Sequence, residues 1–348
     1  MKLKLFAPSY SKSFGSKISE YLKTPLSELD EECFEDGECY AAPQAGIKEN
    51  VRGCDVFVIS SMYSDNKESI NDKIMKTMIL CGALRDASAS RITVVAPYYP
   101  YARQDRKTSS RAPITTKYLA RAFESVWINR ILTLDVHSPT AIQNAFPFPC
   151  DLLEANHLFA NCIIDSVRKN KIDPTSLTVL SPDASGLNRA RKFRKIIGDA
   201  FQAEIGLACM DKVHSGKSIV GHGIMGDVVN RHVLIYDDMI SGGSTILEAT
   251  EACFPKDKMG KLIVDKCARS IYSAIATHGL FVGKANEKMS DERIKRVMVT
   301  DCVEPFRVVN PLLKDKLEII STTRLFAEAI GRIHKNESIS DLIVNGNS

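Results

Sequence analysis

Residues 233–246 read Val-Leu-Ile-Tyr-Asp-Asp-Met-Ile-Ser-Gly-Gly-Ser-Thr-Ile. An apolar run of strand length ends in two adjacent carboxylates, passes through five small residues and opens a helical pattern. The glycines let backbone N–H groups approach an anion closely, while Ser241, Ser244 and Thr245 add hydroxyls. A helix N-terminus behind them favours negative charge. Asp237 and Asp238, at the carboxyl end of the strand, suit sugar hydroxyls or a magnesium-bound ligand, and in open α/β sheets that edge is where ligands sit. One acid would serve as a helix cap; two acids and five small residues exceed what a cap needs. The spacing therefore predicts a phosphate loop at Ser241, Gly242, Gly243, Ser244 and Thr245.

A second charged segment, Tyr101-Ala102-Arg103-Gln104-Asp105-Arg106-Lys107, packs three cations beside an amide. Guanidinium forks bind phosphate oxygens bidentately and lysine supplies a point charge. Taken alone, such a run is usually a solvated loop, but this one follows a strand. Phe34-Glu35-Asp36-Gly37-Glu38 offers an aromatic face and acidic acceptors, and alone it reads as an acidic turn. His137 and Asp183 each follow a strand, at Val136-His137-Ser138 and Ser181-Pro182-Asp183. Lys212 and His214 precede a stretch with four glycines between Ser215 and Gly226, which reads as a mobile lid.

The elements that must position these groups alternate. Leu3 to Phe6, Asp55 to Ser60, Arg91 to Pro97, Arg130 to Asp135, Leu177 to Leu180 and Ala203 to Met210 read as strands. Ser13 to Leu22, Lys67 to Ala87, Ile114 to Ser125, Asp151 to Asn170, Leu187 to Ile197 and Thr323 to Asn336 read as helices. Strands alternating with helices imply mostly parallel, doubly wound sheets and an α/β fold. A chain of 348 residues suffices for two such domains, with a boundary near residue 150. The expected division is 1–150, 151–310, and a C-terminal helix within 311–348 that packs back on the first domain.

Composition narrows the classes. Hydrophobic residues make up 44% and charged residues 25%, ordinary for a soluble globular protein. The net charge of +4 makes no case for a nucleic-acid or membrane surface, though it suits anionic substrates. The ten cysteines show no CxxC pair and no metal spacing, which favours reduced thiols in a cytoplasmic protein. Met1 to Phe6 is a strand pattern rather than a secretory segment, and no apolar run approaches the roughly 20 residues of a membrane span.

The 233–246 stretch resembles the phosphoribosyl-diphosphate loop of the phosphoribosyltransferase superfamily. That pattern is two acids, two spacers and Asp-Thr-Gly-Gly-Thr; here the third acid is absent and the Gly-Gly pair sits one place early. From about Lys4 to Leu342 the chain resembles the ribose-phosphate diphosphokinase (phosphoribosyl-diphosphate synthetase) family. The matching segments are 34–38, Glu49-Asn50-Val51-Arg52-Gly53, 97–107, Asp135-Val136-His137-Ser138, 181–183, Asp211-Lys212 and Asp237-Asp238, in family order and at nearly family spacing.

The resemblance implies two domains of the phosphoribosyltransferase-like α/β fold and assembly into hexamers. It implies magnesium-dependent transfer of diphosphate from ATP to the C1 hydroxyl of ribose 5-phosphate. It assigns ATP to Arg103, Gln104, Asp105 and Lys107, and to Phe34, Asp36, Gly37 and Glu38 reaching into a neighbouring subunit. Ribose 5-phosphate falls to Asp237, Asp238 and Ser241 to Thr245. Magnesium falls to His137 and Asp183, and catalysis to Lys212 with His214. The family pattern there is Lys-x-Arg; this chain reads Lys212-Val213-His214, in a loop one residue shorter, with Lys217 as a substitute cation. Family branches lacking the third acid are active but differ in regulation, so control by phosphate and ADP does not carry over. Two alternatives are weighed against this: a catalytically weak, regulatory synthetase-associated subunit, which Lys-Val-His favours and intact Arg103, His137 and Asp183 oppose, and a phosphoribosyltransferase, which should lack the ATP segment that is present at 97–107.

Overall fold

A computed structural model describes residues 1–43, 50–215 and 218–344, with side chains at 33, 43, 212–215, 218–222 and 344 excepted. Glu49 and Lys217 lie outside the described residues. The chain divides into two compact units: Met1–Glu154 with Ser321–Ser348, and Ala155–Ile320.

The first unit runs β1 (Leu3–Phe6), α1 (Lys12–Leu22), β2 (Leu29–Cys33), β3 (Cys39–Pro43), β4 (Asp55–Ile59), α2 (Ile70–Asp86), β5 (Arg91–Ala96), α3 (Thr115–Ser125), β6 (Arg130–Leu134), α4 (Pro139–Ala145) and β7 (Cys150–Leu153). A five-stranded sheet in the order β1-β4-β5-β6-β7 is parallel throughout. Its strands are buried on both faces, hence near-continuous apolar runs such as Arg-Ile-Thr-Val-Val-Ala. Ile92, Val94 and Ala96 turn one way, into a core shared with Leu80 and Leu84 of α2 and Leu119 and Phe123 of α3. Strands β2 and β3 form a separate antiparallel ribbon.

The second unit runs α5 (Asn156–Lys169), β8 (Leu177–Ser181), α6 (Leu187–Phe201), β9 (Gly206–Ser215), β10 (Ser218–Met225), β11 (His232–Ile240), α7 (Ser244–Ala252), β12 (Ser270–Gly279), α8 (Ala285–Met289), β13 (Val297–Thr300), α9 (Pro311–Lys316) and β14 (Leu317–Ile320). Its seven strands lie in the order β10-β9-β8-β11-β12-β13-β14. All neighbours are parallel except β9 and β10. After β8 the chain steps outward to β9; after β11 it steps the other way to β12. The seam between β8 and β11 is therefore the topological switch point of this sheet.

The chain returns to the first unit with α10 (Thr323–Lys335) and α11 (Ser340–Val344). Phe326 of α10 packs edge-on against Phe14 of α1 at 5.7 Å. At the end of α10, buried Asp55 accepts from Arg91 Nε at 2.7 Å and from Arg91 Nη2 at 2.5 Å. His334 Nδ1 lies 2.8 Å from the same carboxylate. The breaks near 150 and 310 read from the sequence thus fall at 154 and 320, since β7 completes the first sheet and β14 the second.

Three elements differ from the sequence reading. Residues 151–170, read as one helix, are the end of β7 followed by α5; Leu152 and Leu153 pair with Thr133 and Leu134 in register. The glycine-bearing stretch after Ser215, read as a mobile lid, contains strand β10, hydrogen-bonded antiparallel to β9. Strand β12, buried over most of its length, was not read as a strand at all; two Ser, two Ala and a Thr among its ten residues dilute the apolar signal. Among the described residues no helix is long and apolar enough to cross a membrane.

Candidate active site

In the second unit the groups gather at the switch point. Asp237 and Asp238 end the buried part of β11, 8% and 3% exposed. Tyr236 beneath them is fully buried, stacks near Phe193 with ring centres 4.4 Å apart, and donates to Asn156 Oδ1 at 2.7 Å. This packing fixes the strand end that carries the acids. Burial, and after it the neighbouring Asp238 charge, pushes the Asp237 carboxyl up to about 8. Two opposing influences are weaker: the Asp238 N–H donates to Asp237 Oδ1 at 2.8 Å, and the Arg189 guanidinium stands 3.9 Å away. A carboxylate pair at this level of burial calls for a cation or hydroxyl donors.

Across the seam, Asp183 follows β8. Its Oδ1 accepts from the Gly186 N–H at 2.8 Å and the Ser185 hydroxyl at 2.7 Å, and the Ser181 hydroxyl donates to its carbonyl. A Cβ at Gly186 would stand 2.8 Å from Ser181 Oγ and would push that hydroxyl aside. The turn delivers Arg189 of α6 to Asp237. Arg189 was not singled out from the sequence, where it reads as one basic residue in a basic helix; only the β8–β11 pairing brings it to the acids.

The Ser241–Thr245 loop joins β11 to α7. Gly243 has φ +74° and serves as the N-cap, with no side-chain cap hydrogen bond and no acid in the first turn of α7. Only glycine tolerates that backbone together with the close approach of Lys288 and Met289. Ser241 and Gly242 are half-buried and Ser244 is exposed. Strand β9 pairs with β8 only as far as Cys209. Met210–Ser215 therefore extends past the carboxyl end of β8, with Lys212 opposite His222 and His214 opposite Ile219 of β10. Lys212 and His214 lie on that extension.

In the first unit the groups follow two neighbouring strands, β5 and β6. Arg103, Gln104 and Lys107 are exposed, and Asp105 is half-buried, in the loop after β5. The loop is anchored by Tyr101, at φ +56°. Its carbonyl accepts from Thr116 Oγ1 at 2.9 Å and its phenol donates to Asn71 Oδ1 at 2.6 Å. His137 follows β6 and is half-buried, between Asp135 at φ +36° and Ser138, which caps α4 through the Ala141 N–H. Backbone in that region strains a non-glycine residue. Phe34, Asp36, Gly37 and Glu38 form the exposed tip of the β2–β3 ribbon. The Phe34 N–H donates to the Glu38 carbonyl at 2.8 Å, and Gly37 takes φ +93°.

Among the described residues no group of three or more His, Cys, Asp and Glu is disposed to hold a metal. A magnesium ion keeps water and substrate phosphates in its shell and needs only one or two carboxylates. Asp183, just past the carboxyl end of β8, offers a hard oxygen donor of the kind such an ion takes.

Comparison with known proteins shows the family of this chain. Residues 3–126 match the model of the N-terminal domain of ribose phosphate pyrophosphokinase, and residues 209–344 that of the phosphoribosyl synthetase-associated domain. A ribose-phosphate pyrophosphokinase of Haemophilus ducreyi is 36% identical over 97% of this chain and 98% of its own. That of Campylobacter jejuni is 35% identical over 98% and 99%, and that of Shewanella oneidensis 37% over 97% and 98%. The chain belongs to the ribose-phosphate pyrophosphokinase family. A crystal structure of phosphoribosylpyrophosphate synthetase from Mycobacterium smegmatis superposes with a TM-score of 0.81 at 27% identity, covering 97% of this chain and 100% of that one. Each unit accordingly has the architecture expected of the family, a mostly parallel sheet flanked by helices.

Proposed function

We propose that this chain transfers the diphosphoryl group of ATP to the C1 hydroxyl of ribose 5-phosphate, giving phosphoribosyl diphosphate and AMP for nucleotide biosynthesis. The observation that carries the reading is the buried acid pair and glycine loop at the switch point of the second sheet. A phosphorylated sugar is the ligand such a pair suits. The carboxylates accept from ribose hydroxyls, and Ser241 to Thr245, opening onto the uncapped N-terminus of α7, hold the 5-phosphate.

Phosphoryl transfer asks a protein chiefly to position reactants and to stabilise charge. Arg103 and Lys107 supply cations for the ATP phosphates, with Gln104 and Asp105 beside them, and Phe34, Asp36, Gly37 and Glu38 supply an adenine-binding tip. Lys212 neutralises charge on the transferring group, with His214 in support. Arg189 keeps a permanent cation near Asp237. By family resemblance His137 and Asp183 would hold magnesium, which when bound would supply charge neutralisation on the phosphates. The chain is cytoplasmic and assembles as a homo-oligomer, a hexamer by family resemblance, in which the ribbon tip completes a neighbour's ATP site.

A coupled assay for AMP release from ATP and magnesium, with and without ribose 5-phosphate, tests the activity. Release that depends on ribose 5-phosphate supports it. No release under any condition, with both substrates shown to bind, would favour a regulatory synthetase-associated subunit. Lys212-Val213-His214 in place of Lys-x-Arg favours that second reading, and Arg103, His137 and Asp183 oppose it.

A further inference from the structure

The phosphate loop receives a cation from outside itself. Lys288 of α8 donates from Nζ to the Ser244 hydroxyl at 2.5 Å. Its backbone sits just as close: a Cβ on Gly243 would stand 3.4 Å from Lys288 Cβ and 3.2 Å from Met289 Cε. A helix as short as Ala285–Met289 does not hold its place unaided. This one is fixed by its surroundings. The Leu280 and Phe281 N–H groups donate to the Ile240 carbonyl, and the Val282 N–H to the Ser241 carbonyl at 3.0 Å, tying the segment before α8 to the loop. Asn286 Oδ1 accepts from the Val309 and Asn310 N–H groups at 2.9 and 3.2 Å, and its Nδ2 donates to the Arg307 carbonyl at 2.7 Å. Lys288 is thus half-buried and held where it stands.

Lys288 stands beside a helix N-terminus. The N-terminus of α7 carries positive partial charge, its first turn has no acid, and an ammonium there adds charge of the same sign. A dianionic phosphate between them reverses the balance, since it would accept from the loop N–H groups, from the Ser244 hydroxyl and from the ammonium together.

We infer that Lys288 binds the 5-phosphate of the pentose substrate and sets the preference for a phosphorylated over an unphosphorylated sugar. The inference rests on the reading of Ser241 to Thr245 as the phosphate loop. It assigns the charge at this loop to a residue from the β12–α8 segment rather than to the loop's own sequence.

The test is calorimetric titration of ribose 5-phosphate into wild type, Lys288→Met and Lys288→Gln, with magnesium present, alongside steady-state kinetics. Loss of a charge-assisted hydrogen bond should weaken ribose 5-phosphate binding by about tenfold to a hundredfold. The Michaelis constant for ATP should stay within about twofold, and Lys288→Arg should restore binding to within a few-fold. Lys288→Gln keeps a donor for Ser244 and removes only the charge, so it reads the electrostatic effect without the packing change of Lys288→Met. Wild type that binds ribose 5-phosphate, with variants that bind it equally well, overturns this inference and leaves the proposed reaction standing. Wild type that neither binds nor turns over ribose 5-phosphate overturns both.

Discussion

The acid pair at the end of β11 makes a prediction about the ligand-free protein that needs no assay of activity. Asp237 is 8% exposed and its carboxyl is raised from 3.8 to about 8, by burial first and by Asp238 second. Between those limits the folded chain holds a proton that the unfolded chain has released. The unfolded state then binds fewer protons, and stability falls as pH rises. One proton is worth about 1.36 kcal/mol for each pH unit. From pH 5 to pH 7 the carboxyl therefore costs the folded state at most about 2.7 kcal/mol. For a unit of this size, that is a fall in melting temperature of roughly 5–10 °C.

Asp237→Asn keeps the shape and removes the titration. Melting temperatures of wild type and variant, taken from pH 5 to pH 8 without ligands, give two slopes whose difference reports the titration of the acid pair. The wild type should lose stability more steeply, so the variant becomes the more stable of the two as pH rises. A ligand that requires the ionised pair should also expel the proton. Ribose 5-phosphate with magnesium, titrated at pH 7 in buffers of different ionisation enthalpy, should release close to one proton from wild type and markedly less from Asp237→Asn. Parallel melting slopes would refute the argument, because they would mean that the pair is ionised in the folded chain and that Arg189 outweighs burial.

Three further outcomes follow from the same geometry. Arg103→Ala should raise the Michaelis constant for ATP and lower turnover about tenfold or more, through loss of a phosphate fork; unchanged kinetics would place the 97–107 loop outside the site. Asp55→Asn should destabilise the first unit by about 2–4 kcal/mol, since buried Asp55 joins Arg91 and His334, and Arg91 keeps some contact with water; denaturant melts without a midpoint shift would count against this staple. If His214 takes the part of the family's arginine, turnover should decline as pH rises past the point where imidazole sheds its proton, about 6.5 when unperturbed, and His214→Arg should flatten that decline. Superimposable pH profiles at saturating substrates would make His214 a bystander.

How much of this was legible in the sequence follows from what kind of signal each element leaves. β4, β5, β6, β8 and β11 are interior parallel strands, and burial on both faces writes itself as runs of Val, Ile and Leu. β7 lies at a sheet edge and carries an acid at Asp151, which pairs with Arg130. Its two leucines ran into the helical pattern of α5 and hid the break between them. β12 lies between β11 and β13 yet is built of Ser, Ala, Ile and Thr, so buried volume there is small and the apolar signal weak. In β10 the glycines suggested a loop, although backbone pairing with β9 does not depend on side chains.

The site divides along the same line. Asp183, Asp237, His137 and the loops at 101–107 and 241–245 could be found because each lies at or just past the carboxyl end of a strand, and each parallel sheet collects such positions on its own carboxyl edge. Arg189 and Lys288 could not be found that way. Arg189 reaches Asp237 because β8 lies beside β11, although more than forty residues separate the strands in sequence. Lys288 reaches Ser244 because the chain after β12 hydrogen-bonds back onto the loop that ends β11. Both are cations, and both lie against groups that prefer company of the opposite charge once the substrate binds: Arg189 beside a buried carboxyl, Lys288 beside a helix N-terminus awaiting an anion. Strand ends thus mark in sequence the groups proposed to contact the substrate, while the charges beside those groups come from strand order. A chain that kept every motif but reversed the step from β11 to β12 would keep Asp237, Asp238 and the glycine loop, and would lose Lys288 from Ser244.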